Sequence, residues 1–104
     1  MSYSFDFSMF VDAIRSIDEE RKSAGKECFT SCNLDSDFTP ASIAGVDCMR
    51  VNMHGVGVNG EVESVVVGVY KRGAVLDAES VKMSCAVAYE SLITTFEIMR
   101  DDEQ

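Results

Sequence analysis

Two long segments of the chain repeat their apolar residues at the spacing of an amphipathic helix. The first, residues 6–24, has its apolar stripe at Phe7, Phe10, Val11, Ile14 and Ile17. The second, residues 77–100, has its stripe at Val81, Cys85, Ala88, Leu92, Phe96 and Met99. Residues 81–89 also alternate as a strand would. Because the stripe continues to residue 99 through good helix formers, the pattern favours a helix there.

The segment between the two helices begins with a short strand and a loop. Residues 27–34 predict a strand that places Cys28, Cys32 and Leu34 on one face. Residues 35–45 contain Pro40, the only proline, among Ser, Thr and Asp residues. That composition predicts a loop, which could include a helical turn at residues 40–44.

The dipeptide Asn59-Gly60 is the clearest local signal, because both residues tolerate the positive φ that a two-residue type I′ hairpin turn requires. The flanking segments 48–58 and 61–71 predict two paired strands, with Val58 opposite Glu61. In this register one face of the hairpin is uncharged and is predicted to be the core face. A slip of one residue would exchange the two faces.

The predicted core face and the predicted outer face contain different side chains. The core face comprises Met49, Val51, Met53, Gly55, Gly57, Val62, Ser64, Val66, Gly68 and Tyr70. On the outer face, Val65, Val67 and Val69 form a row of three valines beside Arg50, Asn52 and His54. Such a row on an exposed face suggests a covered surface, either a dimer interface or a partner contact, unless the strand is central and buried on both sides.

The predicted order is therefore helix, strand, hairpin, helix. Two long helices across one face of a small antiparallel sheet of about three strands give an α+β, two-layer fold in the order α-β-β-β-α. The 104 residues have the size of one domain, and we expect residues 1–104 to form it, with the last few residues frayed.

Charge narrows the classes of partner. Eighteen acidic residues against nine basic ones give a net charge of -9, which argues against direct binding to nucleic acid or to anionic membranes. The chain shows neither a signal peptide nor a window of ~18 apolar residues, so we expect a cytoplasmic protein. An acidic surface serves solubility or meets a basic partner.

The four cysteines are Cys28, Cys32, Cys48 and Cys85, and we expect them to be reduced and buried. Their even number leaves a two-disulfide arrangement open. Cys28 and Cys32 would lie about 13 Å apart on a strand, too far to share one zinc ion. A zinc site would need long-range convergence, and we predict no metal and no cofactor.

Catalytic motifs are weak. His54 is the only histidine and is predicted on the half-polar sheet face, away from most cysteines. The run starting at Gly55 spells G-x-G-x-x-G, but a strand-like segment follows it where a dinucleotide site needs a helix. For the carboxylate pairs Glu61/Glu63 and Asp35/Asp37, the sequence predicts no apolar pocket that would shift the pKa of either member. We therefore predict no catalytic residues.

An acidic stripe is the remaining feature. Glu90, Glu97 and Asp101 step by seven and four along the second helix, and Asp18, Glu19 and Glu20 form an acidic run on the first. Together they could present a row of charge that imitates a phosphate backbone, or they could be a solvated helix surface.

These observations predict a non-enzymatic protein-binding module. Its expected partner is a basic protein, such as a nucleic-acid-handling complex, which it would block as small acidic inhibitors of phages and mobile elements do. One alternative is a structural protein that self-associates, as a homodimer for example, through Val65, Val67 and Val69. Another is a small enzyme or ligand-binding domain with a pocket near His54 or Cys48.

Overall fold

A computed structural model describes the backbone of residues 6–43 and 46–102, and the side chains of these ranges except at 38–43 and 46–47. The elements are helix α1 (Ser8–Ser23), strands β1 (Ser31–Ile43), β2 (Val46–Val56) and β3 (Val62–Lys71), and helix α2 (Ala78–Asp102). The three strands form one antiparallel sheet in the order β1-β2-β3. The predicted α-β-β-β-α order and the α+β fold are confirmed.

Each helix begins beside an aspartate whose side chain accepts a hydrogen bond from a backbone N–H group. The Asp6 carboxylate accepts a hydrogen bond of 2.9 Å from the Ser8 N–H, and the Asp77 carboxylate accepts one of 3.0 Å from the Ser80 N–H. These bonds satisfy backbone donors that have no partner inside the first helical turn. The helix α2 continues to Asp102, two residues beyond its predicted end, so Asp101 is helical rather than frayed.

Strand β1 corrects the prediction for residues 27–45. It begins at Ser31 and runs through residues 35–43, where we predicted a loop. From Ser31 to Asp37 its side chains alternate between exposed and half-buried. Pro40 is tolerated because β1 is an edge strand, and its pairing with β2 is irregular between Thr39 and Ile43. Residues 44 and 45, which end the predicted loop, lie outside the described residues.

The hairpin between β2 and β3 has a three-residue loop instead of the predicted two-residue turn. The Gly57 N–H donates to the Glu61 carbonyl at 2.8 Å, and the Gly60 N–H donates to the Gly57 carbonyl at 3.0 Å. Gly60 has a φ of +85°, the left-handed conformation that closes such a loop. Gly57 therefore lies opposite Glu61, one residue away from the predicted pairing.

This shift exchanges the faces of β3 over half its length. From Val56↔Val62 to Asn52↔Val66 the pairing is one residue off the prediction, and a bulge at Val67 restores the predicted pairing from Val51↔Gly68 onwards. Val65 and Val67 consequently face the helices and pack partly buried against the core, while Val66 and Val62 are exposed. The predicted outer row is wrong for Val65 and Val67 and correct for Val69.

The hydrophobic core lies between the helices and the sheet. It confirms the predicted stripe of α2, from Val81 to Phe96, and the inward faces of β2 and α1, although Val11 is exposed. The fully buried side chains of greatest volume are Tyr89, Phe10, Phe96, Met53 and Leu92. Helix α2 passes so close to the hairpin that a Cβ atom at Gly57 would lie only 2.9 Å from the Phe96 ring.

A cluster of one cation and two carboxylates closes the hairpin end of the domain. The Arg100 guanidinium donates two hydrogen bonds of 2.7 Å to Glu27 and a third to Glu61. Hydrogen bonding from Arg100 holds the pKa of both Glu27 and Glu61 below their usual range. This contact gives a reason for the observed register, because the predicted one would turn Glu61 away from the helices.

The cluster predicts a pH-dependent stability. Glu27 and Glu61 have a lower pKa in the folded state than the ordinary value of 4.5, so their ionisation stabilises the fold when the pH is above 4.5. This contribution is lost as the pH falls through the two folded-state pKa values. We expect Arg100→Gln to lower the melting temperature at pH 7 by several degrees. The difference from wild type should close as the pH falls below 4.5 and through the lowered pKa values of Glu27 and Glu61. Thermal unfolding monitored by circular dichroism across this range tests it.

Arg15→Gln is the matched control, because Arg15 is an exposed arginine of α1. It should unfold with the wild-type pH profile. A constant gap between Arg100→Gln and wild type at every pH would show that Arg100 stabilises the fold by packing and not through the ionised carboxylates.

Candidate functional site

The outward surface of α2 carries acidic residues, while its two basic residues turn to other elements. Lys82 pairs with Glu20 of α1 at 2.6 Å, and Arg100 pairs with Glu27 and Glu61. Of the five acidic residues of α2, Glu90 forms an ion pair with Arg21. In the described part of the chain Glu79, Glu97, Asp101 and Asp102 have none.

The packing of α1 beside α2 brings the acidic run of α1 close to residues 82–90 of α2, where three of the six predicted residues make contacts within the fold. Asp18 accepts a hydrogen bond of 2.6 Å from the Tyr89 hydroxyl, Glu20 pairs with Lys82, and Glu90 pairs with Arg21. Glu19, Glu97 and Asp101 are exposed. The exposed members without an ion pair among the described residues are therefore Glu19 on α1 and Glu97 and Asp101 at the C-terminal end of α2.

The position of these acids is electrostatically unfavourable for the helix. The C-terminal end of a helix carries partial negative charge, so cations stabilise it and carboxylates do not. Asp101 and Asp102 lie in the last turn of α2, and Arg100, the base of that turn, points towards Glu27 and Glu61. We name the exposed residues Glu97, Asp101 and Asp102 the acidic end of α2.

A polar network occupies the sheet face that the helices leave uncovered. Asp35 accepts hydrogen bonds from Asn52 Nδ2 at 2.8 Å and from His54 Nε2 at 2.6 Å. The other ring nitrogen of His54, Nδ1, then accepts the Ser64 hydroxyl proton in the neutral tautomer. Arg50 forms a bidentate pair with Asp37, at 2.9 and 3.1 Å.

Ser64, His54 and Asp35 have the residue types of a catalytic triad, but their surroundings do not suit acyl transfer. Such chemistry needs a cleft that excludes water and donors that hold an oxyanion. The His54 side chain is 37% exposed, and four grooves among the described residues are lined by other side chains. What the network does is to bridge β1, β2 and β3 across the open face.

Sequence reasoning missed this network because it placed Asp35 and Asp37 in a loop. A usable signal was present in the alternation of Asn33, Asp35 and Asp37 with Cys32 and Leu34, which has the period of a strand. The partners of the aspartates on β2 follow only from the register.

The cysteines have the character of core residues. No disulfide joins the four cysteines, and Cys48 and Cys85 are buried while Cys28 and Cys32 are half-buried. Burial raises the pKa of Cys32 and of Cys85 to about 11, so both remain protonated at neutral pH and are poor nucleophiles. Among the described side chains, those of residues 6–37 and 48–102, no three metal-ligating groups come together as a metal site would require.

An exposed apolar surface lies where α2 meets β3. A groove of about 410 Å³ separates them, and it is lined by Val65, Val66, Val67, Met83, Ser84, Val87, Ala88 and Ser91. On its α2 side, Met83 and Val87 are each more than 70% exposed. We define the apolar strip of α2 as Met83, Val87, Ser91, Thr94 and Ile98.

The apolar strip occupies one side of the helix. At ~100° per residue its five members fall within an arc of about 80°. Met83, Val87 and Ile98 are among the exposed large hydrophobic residues of the chain, and Ser91 and Thr94 are exposed as well. Although α2 is long, neither it nor α1 has an apolar stretch sufficient to cross a bilayer.

We compared the chain with protein-family models, with curated proteins and with solved structures, and none of them matches it.

Proposed function

We propose that this chain is a protein-binding module that docks the acidic end of α2 on a basic surface of a partner protein, such as a groove that otherwise holds nucleic acid. Binding would block that groove. The proposal assigns no chemical step to the chain, and its affinity would come from charge complementarity at a surface made by one rigid helix.

One observation carries the proposal: both bases of α2 are held in internal ion pairs, while no base among the described residues forms an ion pair with the acidic end. Carboxylates at a helix C-terminus cost stability, by roughly 0.3–1 kcal/mol each. A basic partner surface would turn this cost into binding energy, because each of its cations would face both a carboxylate and the negative end of the helix dipole.

The geometry of the acidic end suits a phosphate-binding surface. Glu97 and Asp101 are four residues apart on one side of α2, about 6 Å along the axis. Lysine and arginine side chains that line a nucleic-acid groove can reach carboxylates at such a spacing. Because exposed charges are screened within about 8 Å at physiological ionic strength, binding should weaken as salt rises.

The test is capture of partner proteins from a cell lysate by the immobilised chain at low and at high salt, identified by mass spectrometry. A captured basic protein is then purified, and its affinity is measured with each variant. We expect the double variant Glu97→Lys/Asp101→Lys to weaken binding by about tenfold or more, chiefly through a slower association rate.

Asp12→Lys is the control for each single reversal, because Asp12 is an exposed acid of α1 and the substitution changes the net charge equally. It should leave the affinity near that of wild type. Equal losses of affinity for Asp12→Lys and Asp101→Lys would show that binding depends on the overall charge and not on the acidic end of α2. Binding that ignores both the double variant and the salt concentration would refute the proposal.

A further inference from the structure

The outer edge of β3 is unpaired in the described part of the chain, since β3 pairs with β2 alone. Its backbone pattern can be read from the hairpin. Gly57 and Glu61 are a hydrogen-bonded pair, and such pairs alternate with non-hydrogen-bonded pairs along an antiparallel ladder. The backbone N–H and C=O groups of Val62, Ser64 and Val66 therefore point away from β2, towards the free edge.

A two-fold axis through Ser64 would place the outward-facing groups of these three residues opposite those of the same three residues in a second copy. An antiparallel second copy of β3 would place Val62 opposite Val66 of the second copy and Ser64 opposite its own equivalent. Every one of these pairs joins outward-facing backbone groups on both strands, as a ladder requires. The bulge at Val67, which would interrupt longer pairing, lies just outside the matched segment.

The side chains agree with this pairing. Val62 and Val66 lie on the same, uncovered sheet face and are 64% and 46% exposed. The two-fold would bring each against the other's equivalent, forming two valine pairs on either side of Ser64. Glu63 would lie opposite Val65 of the second copy, so the pairing sets no two carboxylates directly opposite each other.

The apolar strip of α2 extends the same symmetry to the helix layer. The strip runs beside the free edge, because its Met83, Val87 and Ser91 line the groove along Val65–Val67. In an antiparallel pair of α2 helices its small central residues, Ser91 and Thr94, allow close approach. With Ser91 opposite Thr94 of the second copy, Val87 would lie opposite Ile98 of the second copy, apolar side chain against apolar side chain.

Charge decides between a second copy and a different partner. Neither the apolar strip nor the outward-facing residues of β3 contain a charged side chain, although 26% of the chain is charged and its net charge is -9. The members of this surface offer a basic partner no carboxylate, whereas the neighbouring acids of α2 lie beside the strip at Glu90 and beyond its C-terminal end at Asp101. Two copies of so acidic a chain repel each other over most surfaces, and a neutral, self-complementary surface is where they can meet.

We infer that the free edge of β3 and the apolar strip of α2 form a homodimer interface, which joins two three-stranded sheets into one six-stranded sheet. The two surfaces contribute fewer residues than the 20–30 per partner of a standard interface, so we expect a dissociation constant on the order of 1–100 µM. This inference does not depend on the acidic end of α2 or on its proposed partner.

Sedimentation velocity of the full chain from about 5 to about 500 µM brackets this range. We expect the mass to rise from the 11.4 kDa of the monomer to twice that value. Val66→Lys should weaken dimerisation about tenfold or more, because it sets a cation against Val62 of the second copy, twice in each dimer. Val87→Lys should have a similar effect through the helices.

Val69→Lys is the matched control. Val69 lies on the same strand and the same face and is 51% exposed, but it lies beyond the bulge. It should dimerise like wild type with the same change of charge. A chain that stays monomeric at the highest concentration, or equal losses for Val66→Lys and Val69→Lys, would overturn the interface.

A cross-link tests the symmetry axis itself. Hydrogen-bonded antiparallel neighbours have Cα atoms about 5.5 Å apart, within the range that a disulfide can bridge. Under mild oxidation Ser64→Cys should give a covalent dimer at concentrations where wild type gives none. Val69→Cys should stay monomeric, and a covalent dimer of Val69→Cys in place of Ser64→Cys would refute the axis.

Discussion

Phe96→Ala is expected to lower the free energy of unfolding by about 3–5 kcal/mol. The Phe96 side chain has no exposed surface and makes an edge-to-face contact with Phe29 at 5.9 Å. The Phe96 ring also lies against the backbone of Gly57, so closely that a side chain at position 57 would clash with the ring. Truncation leaves a cavity between α2 and the hairpin that neither rigid element can move to fill.

Chemical denaturation measured through far-ultraviolet circular dichroism gives this difference directly. Ile98→Ala is the control, because Ile98 is on the same helix but 57% exposed. At a concentration well below the dimer range it should change stability by less than about 0.5 kcal/mol. Since a domain of this size is stable by roughly 5–15 kcal/mol, Phe96→Ala should also raise the unfolded fraction at 37 °C. A loss under 1 kcal/mol would show that α2 does not pack on the hairpin as described.

Tyr89→Phe removes one hydroxyl group and is expected to lower the free energy of unfolding by about 1–3 kcal/mol. The buried Tyr89 hydroxyl donates to Asp18 Oδ1 at 2.6 Å and accepts from the Phe29 N–H at 2.9 Å. Burial raises the pKa of Tyr89, so the hydroxyl keeps its proton. Without it, a half-buried carboxylate and a backbone N–H both lose their partner.

Tyr70→Phe provides the comparison for the same chemical change. Tyr70 is partly buried, and its hydroxyl lies near Ser84. Water can reach this hydroxyl and the groups around it, so the loss should stay below about 1 kcal/mol. Similar losses for the two variants would mean that the Tyr89 hydroxyl does not join α1, α2 and the segment before β1 as its contacts indicate.

Tyr89 also shows why the acidic run of α1 cannot be assessed from the sequence. Asp18, Glu19 and Glu20 are equivalent as a charge run, but in the fold Asp18 anchors Tyr89, Glu20 pairs with Lys82, and only Glu19 is left without a charged partner. Packing of α1 against α2 assigns these different roles.

The sequence by itself determined the elements whose signal is local. The stripes of α1 and α2 repeat over several turns, and the caps at Asp6 and Asp77 act within a few residues of each helix start. The Asn59-Gly60 hairpin follows for the same reason, since a turn depends on the φ preferences of neighbouring residues. Fold class, element order and the inward residues of β2 come from these signals alone.

Only the tertiary structure decided the register of β3 and the extent of β1. One extra loop residue and a bulge at Val67 together turn Val65 and Val67 inward and leave Val66 exposed, because helix packing and the Glu61–Arg100 contact favour that face. β1 is a strand because β2 offers it partners, despite its loop-like composition. Such contacts join residues far apart in the chain, so a sequence pattern over neighbouring residues does not reveal them. The free edge of β3, the apolar strip and the acidic end of α2 all depend on them.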